Sequence, residues 1–380
     1  MPAPYGLGPA DEFPIHQLPQ PVAWPGTSDR NFYDRSYLNA HDRTGNIFLI
    51  SGIGYYPILG VKDAFFMIRR STDKGEFTHA VQFSDAIDND RLHPHVGNYR
   101  MDVTEPMRRL HLTVAETEGI AVDLEWNGLF DVVQEQTHKM RAGSRVTLDA
   151  QRFAQTGTWS GSITIDGEEI AVDPAVWIGS RDRSWGVRPN GEPEPAGRPA
   201  DPPFEGMWWN YYPLAFDDFQ IVLIIQEDPD GFRVLNDCTR VWKDGRVEQL
   251  GWPRITVHYG SGTRIPTGAT VETTTQDGSP LKVEISSLLG APIHVGGGYG
   301  GDSDWSHGLW LGEKFSRRLD YDMTDPAVAG RIPFGVIDHV GRAECTEAGG
   351  TVREGWGLFE HGALGRHDPS GFSDWLSVAP

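Results

Sequence analysis

Residues 161–186 read GSITIDGEEIAVDPAVWIGSRDRSWG, and the fold class turns on this stretch. Apolar and polar residues alternate through Ile163 and Ile165, as on a half-buried strand. Asp166-Gly167 then interrupts the run. An Asp-Gly pair suits the positive φ angles of a two-residue hairpin turn. The chain returns through Ile170 and Val172 to a Gly- and Trp-rich segment holding an acid beside a base, Asp182-Arg183. Residues 341–365, GRAECTEAGGTVREGWGLFEHGALG, have the same design and carry Glu360-His361. A repeated design of this kind is what an internal duplication would leave.

The pattern extends outward. Alternating apolar runs predict strands over Asn46–Tyr56, Ala64–Arg69, Arg109–Ala115, Ile120–Leu129, Arg145–Phe153 and Thr158–Ile165. Others fall at Phe219–Gln226, Phe232–Trp242, Arg254–Tyr259 and Lys282–Leu288. They are rich in β-branched and aromatic residues. Asp230-Gly231, Asp244-Gly245 and Asp277-Gly278 punctuate them as hairpins. One short helix is predicted over Thr324–Ala329, with Thr324 as its cap and Pro326 in its first turn. Long crossover helices are absent, which argues against a Rossmann fold or a (β/α)8 barrel. The expectation is an all-β chain of two consecutive antiparallel barrels packed side by side. An extended arm covers residues 1–30, barrels cover 31–188 and 205–380, and the Pro-rich stretch 189–204 (PNGEPEPAGRPADPPF) links them.

The formal net charge of -20 repels phosphate backbones and anionic headgroups. Nucleic acid and membrane-surface partners are therefore not expected, and membrane insertion is not expected because no segment has the long uncharged apolar run of a spanning helix. The N-terminal stretch lacks the basic start and apolar run of a secretory signal. Cys238 and Cys345 suggest free thiols in a reducing cytoplasm, with a single long-range bridge as the alternative. No oligomeric state is read from the sequence.

Three segments can carry chemistry. In WIGSRDRSWGVR, residues 177–188, strand alternation puts Asp182 on one face and Arg181, Arg183 and Trp185 on the other. Asp182 then faces a cavity or, in the plainer reading, belongs to a salt-bridged strand end. In GWGLFEHGALGRH, Glu360 and His361 point opposite ways, as do Asp338 and His339 in PFGVIDHVGR. An acid held in such a pocket has its pKa raised by desolvation and becomes a proton donor. The run MWWNYYP supplies Trp208, Trp209, Tyr211 and Tyr212, as core filling or as a ring-lined pocket.

Other motifs point to less. Gly296, Gly298 and Gly301 fit GxGxxG without a βαβ context, and one GGxGxD copy builds no calcium site. A loop at a pocket mouth is the expectation, with Asp302, Asp304 and His307 near it. His93 and His95 offer a metal site only as a minority reading, so no metal is expected. GxSxG, HExxH, P-loop and CxxC motifs are absent.

WIGSRDRSWGVR and EGWGLFEHG resemble segments of the two-domain lipocalin-like (calycin-type) proteins, the group of carotenoid 1,2-hydratase (hydroxyneurosporene synthase) and fungal kievitone hydratase. The more specific pattern is G-x-R-D-x-S-W-G, carried by Gly179, Arg181, Asp182, Ser184, Trp185 and Gly186. The resemblance implies a double calycin-like fold more strongly than any one reaction.

Together these readings predict a hydratase, isomerase or cyclase that needs no cofactor and acts on a small hydrophobic substrate (terpenoid, prenylated or steroid-like). Asp182 is the first candidate for the acid or the water-orienting base. Glu360, Asp338 or His361 complete the acid–base set. Arg181, Arg183 and Arg188 would bind a carboxylate or enolate oxygen. Tyr211 and Tyr212 would bind a carbonyl, among Trp185, Trp208, Trp209 and His307. The alternative is a non-catalytic carrier, whose cavity would be almost wholly apolar.

Overall fold

The computed structural model describes residues 6–194 and 201–380, so part of the Pro-rich stretch lies outside the described residues. The first half contributes β1 (Phe32–His41), β2 (Ile47–Tyr56), β3 (Val61–Thr72), β4 (Gly75–Ala86), β5 (His95–Val96) and β6 (Tyr99–Glu105). It continues with β7 (Arg109–Thr117), β8 (Ile120–Gly128), β9 (Val133–Gln134), β10 (His138–Ala142), β11 (Arg145–Ile165), β12 (Glu168–Val172) and β13 (Ile178–Val187). The second half holds β14 (Gly206–Phe216), β15 (Phe219–Glu227), β16 (Arg233–Trp242), β17 (Val247–Gln249) and β18 (Arg254–Tyr259). Then come β19 (Pro266–Thr274), β20 (Pro280–Pro292), β21 (Phe315–Asp322), β22 (Ile337–Glu347) and β23 (Val352–Gly365).

The strands form two antiparallel sheets with one shared topology. The first runs β4-β3-β2-β1-β13-β11-β8-β7-β6-β5 and the second β17-β16-β15-β14-β23-β22-β20-β19-β18. In each, the last strand of the half lies beside its first strand: β13 sits between β1 and β11, and β23 between β14 and β22. This repeated order is the structural counterpart of the repeated segments at 161–186 and 341–365. Both sheets curl. In the first, β5 packs back near β3 and β4. In the second, Glu248 on β17 accepts from the backbone N–H of Gln276, beyond β19. One strand crosses the boundary: β21, from the second half, pairs with β4 at the edge of the first sheet.

All four Asp-Gly pairs join antiparallel strands, but the turn type expected from the sequence holds at one of them. Only Asp166-Gly167 has both φ angles positive, at 51° and 84°. At the other three pairs the glycine alone is left-handed. The predicted strands Arg145–Phe153 and Thr158–Ile165 are one continuous 21-residue strand. It bends at Gly161 (φ 127°), where a Cβ would sit 2.0 Å from the Asp123 carbonyl oxygen. The short helix spans Pro326–Ala329. Its cap is Asp325 rather than Thr324, because the Asp325 side chain accepts from Ala327 N.

Each barrel interior is filled. The first holds Leu49, Phe66, Phe83, Leu112 and the edge-on pair Trp126–Trp159, with centroids 5.1 Å apart. The second holds Tyr212, Phe219, Leu223, Phe359 and both cysteines, which are free thiols. A third apolar cluster joins Tyr37, Phe48, Phe65 and Met67 of the first sheet to Trp209, Tyr211, Val222 and Leu358 of the second. The outer faces of the two barrels are therefore buried against each other. No helix among the described residues is long and apolar enough to cross a membrane.

Candidate active site between the barrels

A cavity of about 240 Å³ opens in this interface. Strand register explains which side chains enter it, because cross-strand neighbours in a sheet share a face. On the first sheet, β13 pairs Asp182 with Tyr37 and Ser184 with Arg35 on β1. On its other side, it pairs Ser184 with Arg152 on β11. The wall therefore carries a row Arg35–Ser184–Arg152 and, one pleat along, Tyr37–Asp182. On the second sheet, Tyr211 pairs with Glu360, and Glu360 with Asp338. A tyrosine on the first strand beside an acid on the last recurs in both halves, as Tyr37–Asp182 and Tyr211–Glu360. The two pairs face one another across the interface.

Asp338 and Glu360 form the centre of the second wall. Asp338 is fully buried, and its Oδ2 accepts a short hydrogen bond from the Tyr37 hydroxyl, which crosses from the first barrel. The Trp209 indole donates to Glu360 Oε1. Desolvation, then the neighbouring Glu360 charge, pushes Asp338 well above the usual carboxylate range. Desolvation raises Glu360 to about 7, and a hydrogen bond from Asp338 opposes that rise. Asp338 Oδ1 is buried without a donor from any other group among the described residues. A proton held between the two carboxyls satisfies that oxygen, and two such acids close together do not both ionise.

Tyr37 is held by its own shell. Asn39 Nδ2 lies 3.3 Å from the Tyr37 hydroxyl and 2.7 Å from Ser180 Oγ. Across the cavity, Asp182 is raised by desolvation against the charges of Arg152, Arg35 and Arg188. Arg152 Nε lies 3.9 Å from Asp182, and its Nη1 lies 3.3 Å from Glu135. His138 stacks on Trp209 at 5.9 Å, and burial depresses it to about 4, so it is neutral near pH 7.

The structure divides the sequence candidates. Asp182, Arg188, Trp209, Tyr211 and Glu360 line the cavity, and Asp338 lies behind Tyr37 and Glu360. Arg181, Arg183 and Trp185 lie on the opposite face of β13. There they line a separate cavity of about 460 Å³ at the mouth of the first barrel, with Leu38, Leu110 and Phe153. The arginines acting on Asp182 are thus not its sequence neighbours. Trp208, Tyr212 and His361 point into the second barrel. His361 contacts the Tyr259 hydroxyl and Asn210 Oδ1, each at 2.9 Å, and Trp208 stacks on His367. His307 is buried behind the site and touches Arg188 Nη2 at 3.2 Å and the Gly297 carbonyl at 2.7 Å.

The glycine loop 296–301 brings Tyr299 to the cavity. Gly298 has φ 78°, and a Cβ there would lie 2.5 Å from Trp305. Asp302 fastens the loop through Gly296 N and Arg331, while Asp304 pairs outward with Arg317. His93 and His95 diverge, the first to Asp90 and the second to Lys62 and Asp88. Among the described residues no group of three or more His, Cys, Asp or Glu is arranged to hold a metal. The sequence reading missed Arg35, Tyr37, Glu135, His138, Arg152 and Tyr299.

No curated protein matches the chain. Among solved structures, a Nitrosomonas europaea protein assigned as AttH aligns over 93% of this chain and 99% of its own, at 12% identity and a TM-score of 0.46. Kievitone hydratase from Nectria haematococca aligns over 90% of this chain and 93% of its own, at 13% identity and a TM-score of 0.44. The model of a family of unknown function, DUF8625, matches residues 7–373, and the chain belongs to that family.

Proposed function

We propose that the inter-barrel cavity is the active site of a hydratase or isomerase that uses acid–base chemistry and no cofactor. The Asp338–Glu360 pair carries this reading: a proton stored beside Trp209 and Tyr37, at a carboxyl raised to about 7. Glu360, which lines the cavity, donates that proton to an alkene or enol carbon of the substrate. The rings of Trp209, Tyr211 and Tyr299 flank the cationic or enol-like intermediate. Asp182, on the facing wall, takes a proton from water as the water oxygen bonds to the substrate carbon. Exchange with solvent then restores both groups, so no oxidant or reductant is consumed.

Cavity size narrows the substrate class. An engineered cavity of about 150 Å³ holds benzene, and the space here is about 240 Å³. That favours a compound of one or two rings over a steroid. The carrier reading has the larger, more apolar mouth cavity beside Arg181 and Trp185 in its favour. Several acids at one buried cavity favour catalysis. The test is a mass screen of small unsaturated compounds for gain or loss of one water, with wild type beside Asp338→Asn and Glu360→Gln. Turnover that survives in both variants refutes the assignment.

A further inference from the structure

One end of the same cavity carries positive charge that the protein leaves unused. Arg35 is buried, and among the described residues its side chain makes one long hydrogen bond, 3.4 Å from Nη1 to the Tyr56 hydroxyl. Its Nε and Nη2 bond to nothing among the described residues. The guanidinium lies over the rings of Tyr299 and Phe65, at 5.2 and 5.6 Å. Among the described residues Arg188 contacts neutral partners: Asn190, His307 and, at 4.6 Å, the Tyr33 ring. Neither arginine has a carboxylate within 4.0 Å among the described residues, whereas Arg152 is paired with Glu135. Asp63 and Asp182 act on both guanidiniums at longer range, and the Asp63 oxygens are engaged by Tyr56 and Gly308 N.

An unpaired guanidinium in a buried wall forfeits several hydrogen bonds to water, a cost that persists unless a ligand replaces them. Planar carboxylates match the guanidinium fork. We infer that Arg35 and Arg188 form an anion seat, so that the substrate is a small ring-bearing carboxylate held with its acid group at this end. The inference rests on the reading of the cavity as an active site. It adds a polarity to it: Tyr37 reaches Asp338 and stands two residues along β1 from Arg35, so the seat and the acid pair are approached from neighbouring positions on one strand face. In a conjugated enoate that order of groups serves hydration. The carbon–carbon π bond breaks as water oxygen bonds to the β carbon and its proton passes to Asp182. The Glu360 proton goes to the α carbon, and the charge gathering on the carboxylate oxygens is met by the two arginines.

The test measures binding rather than turnover. Trans-cinnamate, methyl cinnamate and cinnamamide share one skeleton, and only the first is anionic at pH 7.5. Calorimetric titration of the wild-type protein is expected to give tighter binding of cinnamate than of either neutral analogue by about tenfold or more. Arg188→Gln, at a partly exposed position, is expected to remove that preference, as is Arg35→Met. Equal affinity for the acid and the amide, no detectable binding of cinnamate, or a preference unchanged in Arg188→Gln overturns the seat. The acid–amide comparison needs no variant and so does not depend on folding of Arg35→Met. A failed seat with turnover still lost in Glu360→Gln would leave the acid–base reading intact; the reverse pattern would remove that reading alone.

Discussion

Glu360→Gln should stabilise the protein while ending its activity, and the gain should depend on pH. The glutamate ionises near 4.5 in an unfolded chain and at about 7 in its buried place. Between those values the folded protein binds more protons at this position than the unfolded chain. Stability of the wild type therefore falls as pH rises through that window, by about 1.4 kcal/mol per pH unit at most. The span corresponds to an upper bound of about 3 kcal/mol at pH 8, shared with the coupled Asp338. Glutamine does not titrate. Its amide oxygen still accepts from Trp209, and its amide nitrogen offers Asp338 Oδ1 a donor that does not ionise. Thermal scans at pH 8 should show the variant melting a few degrees above wild type, with the gap closing towards pH 4.5. Turnover should fall by roughly 10²–10⁴-fold, the usual worth of one proton-transfer group. A gap of the same size at both pH values, or a variant less stable at pH 8, would refute the argument that Glu360 is costly to ionise.

Three further outcomes follow from the same geometry. Asp182→Asn keeps the shape of the wall and should fold normally while losing turnover by roughly 10²–10⁴-fold; a near wild-type rate with a defined substrate makes Asp182 structural. Tyr37→Phe removes the one donor to the buried Asp338 Oδ2 among the described residues and should cost about 1–3 kcal/mol in urea unfolding; unchanged stability would mean that the bridge between the barrels carries no weight. Gly298→Ala places a methyl against Trp305 at a left-handed backbone position and should cost about 1–3 kcal/mol while displacing Tyr299. Wild-type melting and ligand affinity in that variant would contradict the role given to the loop.

Strand alternation made part of this site legible. It separated Asp182 from Arg181 and Arg183, and Glu360 from His361. The same rule divides Trp209 and Tyr211 from Trp208 and Tyr212, although both sets read as equally aromatic. The first wall was hidden for a physical reason. Nearly every residue of β1 and all of β2 are buried, because one face fills the first barrel and the other meets the second. Strands buried on both faces lose the period-two signal that marks a half-exposed strand. Tyr37, in FYDRSYLNAH, therefore gave no sign of its face. Its partnership with Asp338, 301 positions away, depends on how the barrels pack. Arg152 lay inside the expected strand Arg145–Phe153, but its place in the wall follows from its pairing with Ser184 on β13, which the sequence does not show. The repeated layout was legible in outline, through the two similar half-ends. Its consequence, two tyrosine–acid pairs facing each other, required the register.

The most direct test of the account is the protonation state of the Asp338–Glu360 pair. Infrared difference spectra between wild type and Asp338→Asn, recorded in D2O at pH 7, isolate the carbonyl stretch of a neutral carboxylic acid. The account predicts such a band in the wild type and its loss or shift in the variant, because one proton stays between two carboxyls that burial forbids from ionising together. A wild-type spectrum with only ionised carboxylate at these positions would contradict it.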